Sequence, residues 1–126
     1  MAGDVTLNSR LQAGDKFLIS EFDFNLPGQK PRKDMMITTQ DPYTNRLISW
    51  IFDSEGGFGR AVWTRDGDRW LVSSYRTEPG GVQVTATNVI TPTGANGFTW
   101  KTTARTVNGV NIKDGPEISV ARVASR

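Results

Sequence analysis

Four carboxylates stand at two neighbouring turns, Asp53 and Glu55 in Asp53-Ser54-Glu55-Gly56-Gly57, and Asp66 and Asp68 in Asp66-Gly67-Asp68. Carboxylates brought together across a hairpin can act as acid and base in glycoside hydrolysis, or hold a hard cation through oxygen. The same residues are the ordinary material of turns, and turn chemistry accounts for every one of them. No residue is therefore assigned a catalytic role, and none a metal. The run Ser54-Glu55-Gly56-Gly57-Phe58-Gly59 has three glycines but neither the Gly-Lys-Ser/Thr ending nor the following helix of a phosphate cradle. Gly56-Gly57 reads as a positive-φ hairpin pair, and Gly59 as room for a Trp across the sheet.

Two absences narrow the chemistry further. The chain has no histidine and no cysteine. That removes the commonest general base near neutral pH, thiolate nucleophiles, disulfides and most transition-metal sites. No cofactor is expected.

The remaining candidates for a site are aromatic. Trp50, Trp63, Trp70 and Trp100, with Tyr75 and Arg105, form the candidate ligand-binding set, a stacking platform for an apolar or sugar ligand flanked by Arg60, Arg65, Arg69 and Arg76. Core packing is the competing account. Trp50, Trp63 and Trp70 fall on successive strands where they can meet across one face, together with Ile48, Phe52 and Ala61. Ser20, Ser73, Tyr75, Thr87 and Asn88 can orient a small ligand inside a barrel, or face solvent.

The elements that position these residues are strands. Turn signals recur every 8 to 13 residues or so, separating stretches of alternating apolar and polar residues rich in Val, Ile, Thr, Phe and Trp. The predicted strands are Val5–Gln12, Phe17–Phe24, Met35–Gln40, Arg46–Asp53, Phe58–Thr64, Arg69–Thr77, Val82–Thr91, Phe98–Val107, Val110–Lys113 and Glu117–Val123. Asp66-Gly67 and Asn108-Gly109 read as the central pairs of tight hairpins. Short turns make consecutive strands antiparallel neighbours, so the fold class is all-β, an antiparallel meander of about nine or ten strands. Twist curls so wide a sheet, giving an open or closed lipocalin-like barrel whose concave face aromatic side chains fill.

At 126 residues the chain suits a single domain spanning 1–126. A formal charge of +2 gives no field that would draw nucleic acid. No apolar run approaches the ~20 residues of a membrane-spanning helix. Met1-Ala2-Gly3-Asp4 has neither the basic start nor the apolar stretch of a secretory signal. A soluble chain without membrane contact is expected, with nothing to indicate its compartment. The run Leu47-Ile48-Ser49-Trp50-Ile51-Phe52 is apolar on nearly both faces. It marks a central strand covered on both sides, or one that meets a protein partner or a second copy, with Leu47, Ser49 and Ile51 as the contacting face.

Several blocks carry a resemblance: Ser49 to Gly59, Trp63-Thr64-Arg65-Asp66-Gly67-Asp68-Arg69-Trp70, Ala86 to Thr91, and Phe98-Thr99-Trp100. Together they resemble the β-rich domain that follows SnoaL-like (NTF2-like) domains in some bacterial proteins, many of them from planctomycetes. They are broadly similar to lipocalin-like β-meanders. The resemblance implies no activity for the β-rich domain, and any catalysis in such proteins is expected to reside in their SnoaL-like domain. The expected function is a non-catalytic binding or interaction module that holds a small apolar ligand or docks on a protein partner. The alternative is a histidine-free enzyme using carboxylates and tyrosine on a small polyketide-like or sugar substrate.

Overall fold

The structure, a computed structural model, describes residues 4–121. Ten strands follow one another: β1 (Asp4–Gln12), β2 (Phe17–Asn25), β3 (Arg32–Gln40), β4 (Leu47–Asp53), β5 (Phe58–Asp66), β6 (Arg69–Thr77), β7 (Gln83–Gly94), β8 (Gly97–Val107), β9 (Val110–Ile112) and β10 (Glu117–Ala121). No helix occurs among the described residues. Arg122 and Val123, expected at the end of the last strand, lie outside them. All ten strands form one antiparallel sheet ordered β1-β2-β3-β4-β5-β6-β7-β8-β10, with β9 also on β8. β10 lies along Gly97–Lys101 and β9 along Arg105–Val107.

The turns explain why neighbours pair so regularly. Val107 pairs with Val110, so Asn108 (φ 48°) and Gly109 (φ 81°) are the central pair of a two-residue hairpin, as the sequence predicts. The other tight hairpin is shifted by one position. Asp66 pairs with Arg69, so its central pair is Gly67-Asp68, with Gly67 alone at positive φ (62°). A glycine first is the pattern of a type II′ turn, and Asp66 becomes the last ladder residue.

The register sorts side chains into two faces. On the inner face Thr38, Ser49, Ala61 and Ser74 are paired in one row across β3 to β6. Ser49 is 1% exposed and Ala61 2%, with Ser20, Thr38 and Val72 also buried. Short side chains in this row leave space for the sheet to curl, and larger ones fill the flanks. Phe22 and Phe24 of β2 reach Trp100 of β8, with ring centroids 5.9 and 6.3 Å apart. The concave face therefore brings the two ends of the sheet together through side chains. It does not close them by hydrogen bonds: β1 and β10 are not paired, and the sheet is open. Barrel closure, one of the two expected forms, is not observed.

The outer face departs from expectation. Ile48, Trp50 and Phe52 point outward, while Leu47, Ser49 and Ile51 belong to the inner face beside Thr38 and Ala61. The run is apolar on both sides as read, but the side turned toward the interior is the one expected to be free. Arg105 is also displaced. A register shift between β7 and β8, with Ala104 at φ 49°, inserts a β-bulge that moves Arg105 off the outer row of Lys101 and Thr103. A bulge of this kind leaves no mark in the alternation of Phe98 to Val107.

Candidate functional site

Where β3, β4 and β6 end together, the inner face carries charge instead of aromatic rings. Arg76 Nη2 donates to Asp53 Oδ2 at 3.0 Å and lies 3.4 Å from Glu78 Oε1 and 3.8 Å from Asp34 Oδ2. Arg32 donates from Nη2 to Asp34 Oδ2 at 3.2 Å. Its Nε comes within 3.0 Å of Oδ1 off the line a hydrogen bond needs, and Arg76 Nε has no acceptor. The alternation of the strands places the group here: Asp34 pairs with Asp53 across β3 and β4, and Arg76 with Gly59 across β6 and β5. Gly59 is required by this arrangement, because a Cβ there meets the Tyr75 carbonyl and the Arg76 stem. The room it leaves is for Arg76, not for a Trp.

Two arginines facing three carboxylates leave the acids competing. Burial pushes Asp34 above the ordinary carboxylate range against the pull of Arg32 and Arg76. Glu78 is also raised, by burial first and then by the charge of Asp53 and the hydrogen bond it shares with it. Asp53 moves the other way. Burial opposes its charge, but the backbone N–H groups of Gly57 and Glu55 donate to Oδ1, each at 2.9 Å, and with Glu78 and Arg76 they hold its carboxyl low. A cleft of about 380 Å³ opens beside the cluster, lined by Phe22, Asp34, Met35, Phe52, Asp53 and Ser54 among others. Among the described residues no group of carboxylates is arranged to hold a metal ion.

The tryptophans separate. Trp63 and Trp70 stack edge-on at 6.0 Å on the inner face, with the Arg65 guanidinium 5.3 Å from the Trp70 ring. Trp63 Nε1 donates to Ser49 Oγ at 2.8 Å, and Ser49 shares a 2.7 Å hydrogen bond with Thr38. Trp100 is fixed the same way, its Nε1 donating to Asn88 Oδ1 at 2.9 Å, where Thr102 also donates at 3.0 Å. Trp50 does not join them. It stands on the outer face across from Arg60, which pairs in turn with Tyr75.

Tyr75, Phe52 and Phe58 are the most open part of this outer face, at 54%, 40% and 57%. Phe52 pairs with both Met35 and Phe58, and Trp50 with Ile37, so these side chains form one apolar area crossing β3 to β5, with Tyr75 of β6 beyond Arg60. Of the residues expected to line an interior cavity, Ser20 and Asn88 face inward and Ser73, Tyr75 and Thr87 outward. Arg105 donates to the Lys113 carbonyl at 3.2 Å.

The carboxylate pairing weighed from the turns does not form. Asp66 is held by Arg69 at 2.9 Å at one end of the sheet, and Asp53 by Arg76 at the other. The actual cluster of Arg32, Asp34, Arg76 and Glu78 around Asp53 went unread in sequence. Its signal is present in β3, where Asp34 occupies the same alternation as Met36 and Thr38 and so must turn inward. Comparison with protein-family models, curated proteins and solved structures finds no match.

Proposed function

We propose that the domain is a non-catalytic interaction module, a lipocalin-like meander that docks on a protein partner through the outer face of β3 to β6. The observation that carries this reading is the exposure of the paired Phe52 and Phe58, with Tyr75 one strand on, on a sheet face that no other element among the described residues covers. Exposed contiguous aromatic surface is costly in water and is retained where something binds it. On this reading Trp50 and Tyr75 touch the partner, Arg60 between them offers it a guanidinium, and Trp63, Trp70 and Trp100 hold the wall in shape. A small apolar ligand fits less well, since the middle of the inner face is filled by the protein's own side chains. A SnoaL-like domain is the partner that the resemblance suggests. Titration calorimetry of this chain against such a domain tests it. Binding lost in Phe58→Ser and Trp50→Ser supports the docking face; no binding, or equal binding by the variants, contradicts it.

A second reading, the histidine-free enzyme acting on a small polyketide-like or sugar substrate, draws on Asp34. A buried carboxyl with a raised pKa beside a cleft is a form that general acids take. Hydrolysis of aryl glycosides that disappears in Asp34→Asn is its test.

A further inference from the structure

The two borders of the sheet are built differently. β1 is one continuous strand from Asp4 to Gln12, without proline, glycine or a register shift, and its outer flank is unpaired among the described residues. The opposite border is interrupted: the three residues of β9 and five of β10 share it, with Gly115-Pro116 between them. Short strands, proline and breaks are the means by which sheets keep a border from pairing with another chain. β1 has none of these, and from Val5 to Gln12 its single charged side chain, Arg10, is already held by Glu21 at 3.1 Å.

The apolar side of β1 is also unfinished. Val5, Leu7 and Leu11 share the inner face, and Leu11 is 55% exposed with Leu18 open beside it, because no strand among the described residues lies beyond to cover them. The occupant that fits is a second β1. Paired antiparallel about a two-fold axis at Asn8, it sets Val5 of one copy opposite Leu11 of the other. Leu7 then meets Ser9, and each Arg10 stands across from Thr6, so no like charges face one another. The pairing is self-complementary and uses up the bare border of both copies. A β1-to-β10 contact would instead leave a free border at each end and grow into a filament.

We propose that this chain forms a two-fold dimer in which β1 of each copy pairs antiparallel with β1 of the other. This interface is separate from the outer face of β3 to β6. The test uses the absence of cysteine from the chain. Light scattering across a range of concentrations should give twice the chain mass. Asn8→Cys should form a disulfide or bismaleimide-linked dimer across the axis, and Gln12→Cys, far from it, should not. Leu11→Lys, which puts a charge on an already exposed position, should halve the mass while the circular dichroism spectrum stays that of the folded chain. Phe58→Ser should leave the dimer intact, so loss of partner docking and loss of the dimer are read apart. A monomer at every concentration overturns the proposal. So does a dimer that survives Leu11→Lys and fails to link through Asn8→Cys, or growth into larger species.

Discussion

The indole N–H of Trp63 donates to the hydroxyl of Ser49 across 2.8 Å, on the most buried residue of the inner face. Ser49 in turn bonds Thr38, so three strands are tied at one oxygen. Ser49→Ala removes the acceptor and leaves the indole N–H without its partner in a part-buried site. A loss of about 1–3 kcal/mol is expected in urea denaturation. A variant as stable as the parent would mean that Trp63 finds another acceptor.

Arg76 is expected to matter more than any surface charge. Its guanidinium lies between Asp34, Asp53 and Glu78, and without it three partly buried carboxylates are left facing one another. Arg76→Ala should cost roughly 3–5 kcal/mol, the range for breaking a buried ion pair from one side. Arg69→Ala, which breaks an exposed pair with Asp66, should cost under about 1 kcal/mol. Comparable melting of the two variants would contradict the difference.

The same cluster sets a pH dependence whose sign differs between its members. Asp34 and Glu78, raised in the folded state, contribute stability that is full below the ordinary carboxylate range and lost as pH rises through their folded values. Asp53, lowered, contributes stability present above its unfolded range and lost as pH falls through its folded value. Glu78→Gln mimics the protonated acid and keeps a donor for Asp53. It should melt higher than the parent at pH 7, with the gap closing as pH falls toward about 4. A gap that widens on acidification would reverse the assignment.

The tryptophans should divide by face. Trp63→Ala empties a packed inner position and should cost about 3–5 kcal/mol. Trp50→Ala, on the outer face, should cost clearly less and leave the near-ultraviolet circular dichroism of the interior in place. Equal loss at both positions would mean that Trp50 is covered.

Strand positions were legible because each lies between two turns whose residue types are diagnostic, as at Asn108-Gly109, where positive φ is needed twice. The inward or outward sense of each strand was harder to read. Ile48-Ser49-Trp50-Ile51-Phe52 offers apolar residues on both sides, so alternation alone cannot say that Ser49 points in. Only pairing with Ala61 and Thr38 decides it. The ionic cluster was hidden for a related reason. Its members lie on β3, β4 and β6 and in the turn after β6, and no local spacing announces that they converge.

The meander also fixes an order of events in folding. Every strand pairs with a close neighbour in the chain, apart from the short step from β8 over β9 to β10. Hairpins can therefore zip one after another at little cost in loop closure. The stack of Phe22 and Phe24 on Trp100 is different, since it joins opposite ends of the polypeptide and must wait until the intervening strands have curled. It is expected to act as a latch that forms last and releases first. Phe22→Leu, which removes a ring from the stack and keeps the Trp100–Asn88 bond of the β7–β8 hairpin, should consequently speed unfolding while leaving the refolding rate nearly unchanged, a separation that stopped-flow tryptophan fluorescence can measure.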